Sequence, residues 1–262
     1  KYYLHAPELP FPQDAEGADA GSHDLNGDGF FSLSDYAQDP RVDWNGCEEG
    51  ETDGLDVCDL LAAFSDGVDD DGNGFVDDIS GWDFFGRDNN AYHDFNEGYG
   101  SHGTGVAKEA AAEGGNGGDI GVCPNCSILP LRVGDTFISD GGRIAEAVAY
   151  ATELGAASAT LAIGGLSNPE SMVLAAQNAF ESGTLLVGAS GDENTYHHNF
   201  PAALDNILYV HSITHNTNDN DLPVYSYMNT WNCNNFGSRM NLVAASGACA
   251  TGAVAETAGA IG

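Results

Sequence analysis

The sequence predicts an α/β fold with a mostly parallel sheet, entered through an acidic, loop-rich insertion. Two features predict it. From about residue 100, small apolar residues dominate and strand-like runs alternate with helix-period segments. Residues 23–80 instead hold most of the Asp residues, in repeated Asp/Asn/Gly spacings with only short helices between them. Strands separated by helices of this length form βαβ units, which build a parallel sheet and place a site at the carboxyl ends of its strands. In order, residues 101–112 read as a helix opening after a Gly-rich loop, and 127–133 as a buried strand. A helix over 141–154 with Gly155 as its C-cap follows, then a strand over 157–163 and a helix over 170–182 ended by Gly183. Strands over 184–189 and 207–213 and a last helix over 250–261 complete the series. Three segments are therefore expected: an extended N-terminal stretch over 1–22, the loop insertion over 23–80 and the α/β core over 81–262.

Composition narrows the function classes. The 262 residues carry 40 Asp+Glu against 7 Lys+Arg, a formal net charge of −33. So few cations in so negative a field exclude a phosphate-tracking surface, so no nucleic acid is expected as a partner. A 42% hydrophobic fraction is too apolar for a disordered acidic chain. No apolar run reaches the ~20 residues of a membrane-spanning helix, so no membrane insertion is expected. Six cysteines fall by local spacing into three pairs, Cys47–Cys58, Cys123–Cys126 and Cys233–Cys249. Such pairs imply an oxidising compartment, so the protein is expected to be extracellular, with the cell surface or periplasm as variants. No signal peptide is visible at Lys1, and Gly262 ends a small apolar run without a cap. A mature form or a fragment, with the core incomplete at both ends, is the expectation.

The acids are grouped as ligands of a hard cation would be. Asp24-Leu-Asn26-Gly-Asp28-Gly29-Phe30-Phe31-Ser32-Leu-Ser-Asp35 has oxygen side chains at positions 1, 3, 5, 9 and 12 of an EF-hand loop, and glycine at 6. Position 7, Phe30, would offer its backbone carbonyl. Asp69-Asp-Asp71-Gly-Asn73-Gly74-Phe75-Val76-Asp77 repeats the spacing, but its position 12 is Ser80, so Asp78 or another segment must complete the shell. Asp43-Trp-Asn45-Gly and Asp53-Gly54-Leu55-Asp56-Val-Cys-Asp59 read as a third loop split by an insertion that Cys47–Cys58 could staple. Calcium is the expected cofactor, in two sites with the split loop as a third. A solvated acidic coat would not place glycine and aromatic residues at fixed offsets.

Gly100-Ser-His102-Gly103-Thr104-Gly-Val-Ala107 resembles the GHGTHVAG histidine motif of the subtilisin-like serine peptidases, the subtilases. Gly121-Val-Cys-Pro-Asn-Cys-Ser-Ile-Leu-Pro-Leu-Arg-Val133 is similar to their GVAPNAKLMPVRV strand. Ala159-Thr-Leu-Ala-Ile-Gly164-Gly165 lies where NMSLGG would, and Val187-Gly-Ala-Ser-Gly191-Asp192-Glu-Asn194 where AAGNEG would. The stretch 69–83 resembles a calcium-bearing insertion found before the histidine motif in many subtilases. The collinear resemblance covers roughly residues 66 to 262 and implies a three-layer subtilisin-like fold.

By the same resemblance His102 stands at the catalytic base, Asp192 at the oxyanion donor and Thr251 at the nucleophile, with Cys249 as the alternative register. None of the last three is the family's residue. Ala162 replaces a serine of the substrate wall, and Asp19 imitates the orienting Asp but follows no buried strand. Acyl transfer needs a nucleophilic hydroxyl, a base, a group orienting the base and oxyanion donors. The expected function is therefore a secreted, catalytically inactive pseudopeptidase, a calcium-stabilised structural or interaction module. The alternative is a calcium-dependent extracellular serine-type endopeptidase whose catalytic Asp lies upstream of Lys1. In the family that Asp sits on a central strand, so the N-terminal part of the same precursor, or another chain, is expected to complete the sheet. Peptide could also occupy the former substrate cleft.

Overall fold

The computed structural model describes residues 1–44, 54–92, 102–115, 117–135, 139–165, 167–193, 195–213, 235, 242–246 and 258–259. These divide into two compact units, Lys1–Tyr92 with Asn125–Arg132, and His93–Pro124 with Val133–Gly262.

The first unit is mostly loop, with 3-10 turns at Ala6–Glu8 and Leu33–Tyr36, helix α1 at Val57–Phe64 and strand β1 at Trp82–Asp83. A second strand, β2 at Leu131–Arg132, pairs parallel with β1, Trp82 opposite Leu131. So much loop is held by one apolar cluster of Leu4, Leu9, Tyr36, Val42, Leu60 and Ile79. The N-terminal stretch is thus part of the same core as the acidic loops. Tyr36 is fully buried, and its hydroxyl donates to the Pro10 carbonyl at 2.7 Å, so the one polar atom on the ring is satisfied. Gly81 is required where β1 begins, because a Cβ there would lie 1.9 Å from the Pro130 carbonyl oxygen. The buried strand expected over 127–133 is reduced to β2 and a single parallel bridge between Tyr2 and Ile128.

The second unit carries the α/β pattern. Helix α2 (His102–Ala111) is followed by α3 (Gly141–Glu153), strand β3 (Ser158–Leu161), α4 (Glu170–Ser182), β4 (Leu185–Ala189) and β5 (Ile207–Ile213). Beyond these lie β6 (Leu242–Ser246) and β7 (Ala258–Gly259). The sheet runs β3-β4-β5-β6-β7, parallel except for the last pair. Register places Ala159, Leu186 and Ile207 side by side. Together with Leu161 they pack against Ile144, Val148, Met172, Ala176 and Ala179 of α3 and α4. Asp140 caps α3 by accepting from the Gly142 N–H, and Gly183, at φ 90°, closes α4 in the left-handed conformation that glycine adopts without penalty. Among the described residues β3 has a neighbour on one side only, and Ser158 and Thr160 on it are exposed.

One expectation is corrected. The last helix, read over 250–261, is replaced at Ala258–Gly259 by a short strand antiparallel to β6. The run is small and glycine-bearing, so its helix preference is weak, and pairing with an open sheet edge outweighs it. The rest of that segment, with Thr251 and Cys249, lies outside the described residues.

Candidate functional site

The two glycine-bearing acidic loops share one hydrogen-bond pattern. In the first, Asp24 accepts from Gly27 N–H at 2.8 Å and Gly29 N–H at 3.0 Å. In the second, Asp69 accepts from Gly72 N–H at 2.8 Å and Gly74 N–H at 2.9 Å, the same offsets along the chain. Further along, Asn26 and Asp28 accept from the N–H two residues ahead, and Asp71 and Asn73 do likewise. Each loop is therefore wound round its leading Asp. The backbone donors hold the Asp69 carboxyl below its ordinary pKa, Gly74 N–H contributing most.

The loops differ in how they are closed. Asp35, at position 12 of the first, is buried and accepts from the N–H groups of Leu25 and Asn26, positions 2 and 3. In the second, the N–H groups of Asp70 and Asp71, again positions 2 and 3, donate to Glu8. A carboxylate from 61 residues upstream thus takes the place that Ser80 leaves open. No local spacing points to it; the only signal is the missing twelfth ligand. Glu8, Asp69 and Asp71 bring one carboxylate oxygen each within 4.8 Å of the others. Two oxygens bound to one calcium at about 2.4 Å are at most about 4.8 Å apart, so the donor set fits a single hard cation. Burial pushes the Glu8 carboxyl above its ordinary pKa, although the Asp70 and Asp71 N–H groups oppose this.

Other expected ligands have partners within the chain as well. Asp77 gives its two oxygens to the N–H groups of Asp66 and Gly67, at 2.9 Å each. Ser32 shares a hydroxyl contact with Ser34 at 2.8 Å. Of the split loop, Asp43 is exposed, and Asn45 and Asp53 lie outside the described residues. Asp56 and Asp59 form a reciprocal capping box on α1, each side chain accepting from the other's backbone N–H. Cys58, Cys123 and Cys126 are disulfide-bonded; Cys47, Cys233 and Cys249 lie outside the described residues.

In the second unit, His102 stands at the first residue of α2, and its Nε2 lies 2.9 Å from the carbonyl oxygen of Ala162, just past β3. A carbonyl only accepts, so this bond fixes the proton on Nε2. Asp192 occupies the turn after β4, so the expected carboxyl-end location holds for both residues. That turn is organised by Asn235, which is 1% exposed and which the sequence reading passed over. Its backbone N–H donates to the Gly191 carbonyl, its side-chain amide donates to Ser190 O and to Glu193, and its own carbonyl accepts from His211. Gly191 is obligatory beneath it, with φ 85° and only 2.7 Å from an added Cβ to the Asn235 amide nitrogen. Asp192 retains accessible surface, yet desolvation dominates at its carboxyl. With Glu193 adding like-charge repulsion, and His102 offsetting only part, its pKa is raised. Glu109, further along α2, is raised by burial.

Residues 32–260 match the sequence profile of the Subtilase family, Peptidase S8. Thermitase of Thermoactinomyces vulgaris is 31% identical over 148 residues, covering 56% of this chain and 52% of that protein. The major intracellular serine protease of Bacillus subtilis (strain 168) is 30% identical over 161 residues, covering 59% and 50%. Among solved structures, sphericase aligns at 25% identity over 47% of this chain and 43% of that one, with a TM-score of 0.38. The chain spans about half the length of the curated relatives it matches.

The raised Asp192 pKa has a definite consequence. The folded state holds this proton more tightly than the unfolded chain does, so stability falls as pH rises from about 3.9, the ordinary Asp value, through the raised value. Asp192→Asn is expected to raise the melting temperature at about pH 7 and to leave it unchanged below about pH 3, where both states are protonated. Thermal unfolding across pH checks this; a gain of equal size at both pH values would contradict it.

Proposed function

The chain belongs to the subtilase family, and from that premise we propose that it is a secreted member that has lost peptidase chemistry and works as a calcium-stabilised structural or interaction module. The observation that carries the reading is the bond from His102 Nε2–H to the Ala162 carbonyl. A general base must present a lone pair to the hydroxyl it deprotonates. In this arrangement the nitrogen already holds a proton and has committed it to a backbone acceptor. Asp192 adds to the loss, because an ionised carboxylate can only accept hydrogen bonds where an oxyanion needs donors. Its raised pKa would restore a donor only toward acid. At the expected nucleophile position, Thr251 by the family resemblance, a threonine would stand in place of serine, and its extra methyl would crowd the approach of the hydroxyl to a carbonyl.

Calcium is the cation the loops suit, being bound by six to eight oxygens in flexible shells. Glu8, Asp69, Asp71, Asn73 and the Phe75 carbonyl would hold one ion; Asp24, Asn26, Asp28, the Phe30 carbonyl, Ser32 and Asp35 would hold the other. The ions would neutralise carboxylates that otherwise repel, so their binding energy adds to folding. Disulfide-bonded Cys58, Cys123 and Cys126 favour an oxidising location. Among the described residues, no helix is long and apolar enough to cross a membrane. The open edge of β3 supports a partner strand, from another part of the precursor or a second chain, pairing there. On the isolated chain the β3 amides that point away from β4 should then exchange rapidly with solvent, and slow exchange at those positions would argue against an added strand.

A working endopeptidase is the second reading, favoured by the similarity to the major intracellular serine protease of Bacillus subtilis. Fluorophosphonate labelling and casein turnover on the complete precursor separate the two. No labelling is expected, and turnover should be indistinguishable between the wild type and His102→Ala. Hydrolysis abolished by that substitution would establish the peptidase instead. For calcium, the melting temperature is expected to rise on adding the ion and to fall in chelator. Glu8→Gln should weaken half-saturation of that rise by about tenfold, the loss of one charged ligand. An unchanged calcium response in Glu8→Gln would remove Glu8 from the shell.

A further inference from the structure

Both acidic loops contain an Asn-Gly step, Asn26-Gly27 and Asn73-Gly74, the sequence in which a backbone nitrogen meets least steric hindrance in attacking the preceding side-chain amide. The geometry points to these two steps as latent deamidation sites, held closed by the fold of each loop and opened when the loop loosens. The reaction is self-contained. The glycine N–H gives its proton to solvent base, its nitrogen bonds to Cγ of the asparagine, and Nδ2 leaves as ammonia. Water then opens the resulting succinimide at either carbonyl, giving aspartate or isoaspartate.

Each requirement is blocked in the folded loop. The Gly27 nitrogen donates to Asp24 at 2.8 Å and the Gly74 nitrogen to Asp69 at 2.9 Å, so each nucleophile's proton is held by a carboxylate. The amides being attacked are pinned as well. Asn26 Oδ1 accepts from Asp28 N–H and its Nδ2 donates to Ser34, while Asn73 Oδ1 accepts from Phe75 N–H. Asn73 Nδ2 donates to Asp71 at 3.2 Å and to Asp78 at 3.0 Å, so it is the neutral donor that separates two acids. Deamidation there replaces a bridge with a third negative charge, and isoaspartate also adds a methylene to the backbone of a loop whose ligands depend on alternation. Asn26 is exposed and Asn73 half-buried, so water reaches both.

Peptide mapping by mass spectrometry of the full chain, aged at mildly alkaline pH, tests this. Both steps are expected to convert at least about tenfold more slowly in the native chain than in urea, because a hydrogen bond to a charged group must open first. Asp24→Ala should speed conversion at Asn26 and not at Asn73, and Asp69→Ala the reverse. Equal native and urea rates, or equal acceleration of both sites by either substitution, would overturn the inference.

Discussion

Carboxylates can be crowded this closely only where something positive faces each of them. In the first unit the nearest positive charge is the partial charge on backbone N–H groups, and the buried acids are distributed accordingly. Asp35 faces three such groups, Asp77 two and Asp59 one, while Asp83 combines Phe85 and Gly86 N–H with the Arg132 guanidinium. Asp39 is paired with Arg41 and also accepts from Gln13 N–H. The chain has few cations to spend on such pairs, so loop geometry replaces them. Where three carboxylates meet at Glu8, Asp69 and Asp71, His5 Nε2 lies 3.0 Å from Asp71 and backbone N–H groups face the other two, and the cluster could hold a metal ion.

The second unit keeps the placement expected of its site residues. A parallel sheet still delivers His102 and Asp192 to the ends of β3 and β4, and Asn235 still fixes the turn between Ser190 and Glu193. Position is therefore preserved, and the loss proposed above concerns proton chemistry: His102 Nε2–H faces the Ala162 carbonyl, and the Asp192 carboxyl is held above its ordinary pKa by desolvation.

Much of this was legible in the sequence because it is local. The period of the apolar residues matches α3, α4 and β3 between them to within a residue or two, and Asp/Asn/Gly spacing picks out the two loops whose hydrogen bonds repeat. What escaped was nonlocal. Glu8 reaches its loop from far along the chain, and Asn235 is one polar residue in a polar stretch whose partners lie some 42 to 45 residues away. The stretch 250–261 misled because small residues carry little preference of their own, so tertiary pairing decided β7. Asp56 and Asp59 show the opposite hazard: ligand-like spacing can also be the spacing of a helix cap.

On the proposed reading, Glu8 from the N-terminal stretch closes an ion-binding loop that its own sequence leaves incomplete. A crystal structure of the chain grown with calcium, read by anomalous scattering, should then show an ion with Glu8, Asp69 and Asp71 oxygens at about 2.3–2.6 Å. A fully occupied ion in that loop with Glu8 turned away, or no ion at saturating calcium, would contradict it.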